Sequence, residues 1–166
     1  GSVSTDKQIK DILKLSKELQ KLRPAMEFWF IPSNKIEKFY QAIKKFNLKK
    51  ARVFDVASQK ASRKLVSQCD LGIAVYDKGF GSTKFIEPIK IWEYMMCGVP
   101  FIISREPSIS TEIKKSGVVF FLQSNNKIPK DGSLARFIKP DNLKKLREKC
   151  LSLAKKFNAV ETIGEA

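Results

Sequence analysis

Apolar residues recur along this chain in two alternating periods. Stretches with an apolar residue every three or four positions are separated by short, nearly continuous apolar runs. Thr5 to Leu22 has helical spacing: Thr5 is placed to cap it, Ile9, Ile12, Leu13, Leu19 and Leu22 share a face, and Pro24 ends it. Met26–Ile31 is an aromatic-rich strand, and Pro32-Ser33-Asn34 turns the chain into a second helix, about 34–46, with Ile36, Phe39, Tyr40 and Ile43 inward. Ala51–Val56 is the next strand. Ser58 caps a third helix to about Gln68, with Leu65 on its apolar side. Leu71–Tyr76 is continuously apolar, the pattern of a strand buried on both faces.

Glu87 to Ser104 condenses a whole helix–stop–strand unit. Pro88 suits the first helical position. Ile89, Trp92 and Met96 fall at the spacing of a buried stripe, widened by Ile91 and Met95, while Lys90, Glu93 and Cys97 lie on another face. Gly98 can take the left-handed conformation that ends a helix, and Pro100–Ser104 begins a buried strand. Beyond it, Ser108 or Ser110 caps a short helix near Lys114, Gly117–Leu122 is a strand, and 123–133 is polar and loop-like. Asp141 caps a last helix through about Phe157, and residues 158–166 form a tail.

This regular alternation predicts an α/β fold: one Rossmann-like, three-layer domain over 1–166 with a mostly parallel sheet. Ligands of such sheets bind beyond the carboxyl ends of the strands, here after Ile31, Val56, Tyr76 and Ser104. The chain opens on a helix, whereas open α/β domains begin on a strand. The first, central strand is therefore expected to be missing or truncated.

Composition changes the picture in three ways. With 166 residues, 43% apolar and 30% charged, the chain is globular, and it carries no run long enough to cross a membrane and no N-terminal signal pattern. Its 32 basic against 17 acidic residues give a net charge of +15. A Lys-rich solvated surface explains that charge, and attraction to an anionic membrane is the alternative. No nucleic-acid-binding motif accompanies it. The complete lack of histidine removes Ser-His-Asp, Cys-His and His-containing zinc chemistry. Three dispersed cysteines, Cys69, Cys97 and Cys150, point to a reducing, cytoplasmic setting and to no metal site.

Single motifs say little by themselves. Lys78-Gly-Phe-Gly-Ser-Thr-Lys84 has the glycines of a ligand loop but fails both the Walker and the dinucleotide patterns, and reads equally as a plain connection. Lys90 and Glu93, three apart, read as an ordinary intrahelical ion pair. Trp92, Met95 and Met96 read as core, Asp70 as a turn residue, and Cys97 as a small buried residue.

Taken together, these segments resemble the C-terminal, donor-binding domain of a GT-B glycosyltransferase of the glycogen-synthase-like, family-four type. Pro88-Ile-Lys-Ile-Trp-Glu-Tyr-Met-Met-Cys-Gly-Val-Pro-Phe-Ile-Ile-Ser104 resembles that family's S-P-x-K-x-x-E-Y-M-A-x-G-x-P-V-V-A-S segment. Ser67–Tyr76 resembles the A-D-V-x-V-x-P strand before it, and Gly1–Lys7 resembles G-R-L-x-x-x-K-G, the end of the first strand and its turn. The likeness covers about residues 1–122.

The resemblance implies transfer of a sugar from a nucleotide-sugar to a glycan or lipid-linked acceptor, with no cofactor beyond the donor and no metal. It implies a partner N-terminal acceptor-binding domain and a cytoplasmic site of action, peripheral to the membrane. It places Glu93 on the ribose hydroxyls, Val56 and Ala57 at the base, and Lys7, Ile89, Lys90 and Lys84 around the diphosphate. Three positions depart from the pattern: Ser2 stands for the family Arg, Phe85 for the first Glu of the E-x7-E pair, and Glu87 for a small residue. No residue of this chain inherits a catalytic role from the comparison, and the fragment alone is expected to be inactive. The family's first strand would end at Gly1. Either Gly1-Ser2 is a cloning scar that mimics the motif, or the chain was cut after that strand. Two other readings remain: a non-catalytic α/β interaction domain with a degenerate site, and a binder of anionic membrane surfaces.

Overall fold

A computed structural model describes residues 5–56, 58–76, 89–104 and 109–164, with side chains as far as Phe157. The chain is α/β, every described strand pair is parallel, and it divides into two compact units, Gly1–Ser62 and Arg63–Ala166.

The first unit holds α1 (Asp6–Leu22), β1 (Phe28–Phe30), α2 (Ile36–Phe46), β2 (Ala51–Val53) and the start of α3 (Gln59–Val66). Thr5 caps α1 as its sequence predicts, its Oγ1 accepting the Gln8 N–H at 3.0 Å. The buried face of α1 is rotated from the expected one. Ile9, Leu13, Leu15, Ser16, Leu19 and Gln20 are buried, while Leu22 is 46% exposed. Gln20 can enter the core because both ends of its amide are engaged: Nε2 donates to Lys49 O at 2.6 Å and Oε1 accepts from Lys49 N at 3.2 Å. Lys38 of α2 pairs with Asp6 at 2.8 Å, and Lys17 of α1 donates to Asn47 O at 2.7 Å. The two helices therefore run in the same direction. β1 pairs with β2 from Phe28↔Ala51 to Phe30↔Val53, and the Phe30 and Phe39 rings meet 5.5 Å apart.

The second unit holds the end of α3, β3 (Gly72–Ala74), α4 (Ile89–Met96), β4 (Phe101–Ile103), α5 (Thr111–Ser116), β5 (Val119–Phe121), α6 (Ser133–Phe137) and α7 (Pro140–Gly164). Its strand order is β3-β4-β5, and β4, wholly buried, carries the continuous apolar pattern of a strand covered on both faces. Ile91, Met95, Phe101, Ile103, Ile113 and Cys150 form the centre of the core. Ser110 caps α5, accepting the Ile113 N–H.

Three expectations are corrected here. The strands are three residues long where longer runs were expected, because regular pairing covers only part of each stretch. The 123–133 stretch contains a 3-10 turn, Ser124–Asn126, and leads into α6; Asn125 and Asn126 take left-handed conformations that asparagine tolerates. The last helix runs through Phe157 to Gly164, since no proline or glycine interrupts the sequence before that glycine. The expected first strand would end at Gly1, outside the described residues.

Candidate functional site

The resemblance directs attention to α4 and to the carboxyl ends of β3 and β4. α4 ends as the sequence predicts. Gly98 has φ +69°, its N–H reaches Met95 O at 2.9 Å, and the Val99 N–H reaches Tyr94 O at 2.8 Å. The buried stripe is different from the expected one. Ile91 and Met95 are fully buried and Trp92 packs edge-on against Phe157 of α7, with ring centroids 4.9 Å apart. Ile89 is 72% and Met96 41% exposed. The helix is packed on two sides, by the sheet and by α7, so its buried arc is centred on Ile91 and Met95. Ile89 and Met96 lie opposite that arc.

Glu93 is the exception to this geometry. It neighbours the exposed arc, yet retains only 8% of its surface. Its Oε2 is paired with Lys90 Nζ. A carboxylate withdrawn from water this far needs such a partner. Its charge is felt by Tyr76, at the carboxyl end of β3: burial first, and then Glu93, push the Tyr76 phenol far above its ordinary range. Tyr94 is likewise raised, chiefly by burial, and its hydroxyl donates to Ile73 O at 2.9 Å.

A second polar group lies at the same edge of the sheet. Ser104, fully buried, follows β4. Its Oγ accepts the Tyr76 N–H at 2.8 Å and donates to Asn126 Oδ1 at 2.6 Å. Asn126 Nδ2 reaches back to Tyr76 O at 3.5 Å. Ser104 and Asn126 thus tie the ends of β3 and β4 to the turn after β5. Sequence reasoning did not assign them. The available signals were a serine closing an otherwise apolar strand, and an Asn-Asn pair suited to left-handed turns.

Of the expected site residues, Glu93, Lys90 and Ile89 come together on α4. Lys7 and Val56 belong to the first unit, where Lys7, 63% exposed, pairs with Asp11 at 4.0 Å and Val56 follows β2 half-buried. Ala57 and Lys84 lie outside the described residues, as do Phe85 and Glu87. Among the described residues no cluster of metal-ligating side chains occurs, and no helix is long and apolar enough to cross a membrane. No protein-family model matches the chain, and no curated protein matches it.

Proposed function

We propose that this chain binds the nucleotide-sugar donor of a glycosyltransferase, as part of an enzyme that passes the sugar to a glycan or lipid-linked acceptor held by an N-terminal domain. The observation that carries this reading is the burial of the Glu93 carboxylate, paired with a partly exposed Lys90, on the helix that follows the carboxyl end of β3. An i,i+3 pair serving only the helix would stand in water and contribute a few tenths of a kcal/mol. A desolvated carboxylate is suited to two vicinal ribose hydroxyls, and a lysine beside the helix start is suited to a diphosphate. Ile89 would contribute backbone N–H groups there. The support rests on the second unit alone.

Calorimetric titration with UDP-, GDP- and ADP-sugars tests the proposal. One of them is expected to bind, and Glu93→Ala is expected to weaken that donor at least about tenfold, the loss of a charged hydrogen-bond acceptor. A folded chain that binds none of the three refutes it.

A further inference from the structure

We infer that the first unit carries a membrane-docking surface for anionic phospholipid, built by the lysines where α1 and α2 end. Because these helices run in the same direction, their carboxyl ends lie together, and the Gln20–Lys49 and Lys17–Asn47 hydrogen bonds fix the Asn47–Lys50 turn against α1. Lys44, Lys45, Lys49 and Lys50 are all exposed there, and none of them makes an ion pair among the described residues. Other lysines of the unit do pair: Lys21 with Glu18, and Lys38 with Asp6.

Lys44 and Lys45 occupy the last turn of α2, where cations offset the helix dipole. That role does not account for Lys49 and Lys50, which lie beyond the helix. Lys50 has φ +52°, a conformation better suited to glycine or asparagine, and its carbonyl accepts the Phe28 N–H at 2.8 Å. A lysine at such a position places its charge on this edge at a conformational cost.

The composition of the patch selects the partner. Lys44, Lys45, Lys49 and Lys50 carry ammonium groups on flexible stems, which a diffuse anionic plane satisfies without fixed geometry, and they outnumber the one arginine there, Arg23 at the end of α1; phosphate recognition in nucleic acids favours the planar fork of arginine. Two exposed amphipathic or apolar side chains stand on the same helices: Leu22 at the end of α1, and Tyr40 one turn before Lys44. Such residues settle at a headgroup boundary. The surface lies at the amino ends of β1 and β2, the edge opposite the strand ends where parallel sheets hold ligands. It does not depend on the donor-site reading.

Flotation of the full chain with vesicles of phosphatidylcholine containing about 30 mol% phosphatidylglycerol, at about 0.1 M salt, tests this. Binding is expected there and not to pure phosphatidylcholine. It should fall at least about tenfold in the variant Lys44→Gln, Lys45→Gln, Lys49→Gln, Lys50→Gln. A charge-matched variant on the exposed side of α7 (Lys144→Gln, Lys145→Gln, Lys149→Gln, Lys155→Gln) should bind nearly as wild type. Circular dichroism confirms that both are folded. Equal loss in the two variants overturns the inference, since net charge alone then governs binding. No binding by the wild type overturns it as well. So does patch-dependent binding to a short duplex oligonucleotide without binding to the anionic vesicles.

Discussion

A methyl group added to Gly72 would sit 2.8 Å from Tyr94 Cε2 and 2.9 Å from two other atoms of that ring. The ring cannot swing away easily, because its hydroxyl is bound to Ile73 O and it packs against the Phe101 ring, centroid to centroid 5.8 Å. Gly72→Ala should therefore lower stability by about 2–3 kcal/mol, an overpacking cost measured by urea denaturation. Adding Tyr94→Leu should cost less than the sum of the single changes, since the clash is then gone. Gly98 is held for a different reason. Its φ is +69°, and an added Cβ would also meet Leu151 Cγ at 3.0 Å and Arg147 Cγ at 3.2 Å, so Gly98→Ala should cost about 1–3 kcal/mol in backbone strain and crowding together. Cys150 gives a residue-scale pH effect. Burial pushes its thiol from 9.0 up to about 12. Between those values the unfolded chain loses this proton and the folded chain keeps it, so the contribution to stability falls as pH rises. Cys150→Ala should show a shallower loss of stability than wild type between pH 9 and about 10.5, read by denaturant midpoints.

At the scale of elements, the second unit is fastened by α7. Arg147 sends Nη2 to Ser67 O at 2.6 Å and Nη1 to Cys69 O at 3.2 Å, joining the last helix to the turn after α3. A lysine reaches one such carbonyl, not both, so Arg147→Lys should lose about 1 kcal/mol and Arg147→Ala about 2–3 kcal/mol, by thermal denaturation. Apart from the short α6, the order of elements was readable because the longer helices and the strands have their own period and their own stop: Thr5, Ser110 and Gly98 act as the pattern says they should. What local pattern could not supply was the direction from which each helix is covered. On α4 the spacing of Ile89, Trp92 and Met96 matched a stripe as well as Ile91 and Met95 did, and only packing against both the sheet and α7 chose between them. On α1 a glutamine is buried while Leu22 is exposed, because a backbone turn twenty-nine positions away satisfies its amide. The same limit applied to the site. The Lys90–Glu93 pair was legible as spacing, but its burial depends on neighbouring elements. Ser104 and Asn126, joined across twenty-two positions, left no local trace of their partnership.

For the whole molecule, charge of one sign dominates. The 32 basic residues face 17 acidic ones, and the ion pairs Lys38–Asp6, Arg52–Glu27 and Lys156–Glu112 are exposed, where each contributes little. Repulsion among the unpaired lysines then opposes the compact state. Screening should relieve it: raising sodium chloride from about 0.02 M to 0.3 M shortens the Debye length from roughly 20 Å to 6 Å and should raise the melting temperature. Acid should act in the opposite direction. The hydrogen bond from Lys38, foremost, holds the Asp6 carboxyl below its ordinary 3.8, and those from Ser133 do the same for Asp131. A carboxyl depressed in the folded state contributes stability above its unfolded value and loses it as pH falls through the folded one. Protonation also removes negative charge from a chain already at +15, so the repulsion grows as the pairs are lost. Denaturant midpoints should therefore fall steeply below about pH 4 at low salt, and less steeply at high salt. Asp6→Asn should start lower and lose less over that interval. A midpoint that is insensitive to salt throughout would show that local pairing, and not net charge, governs the stability of this chain.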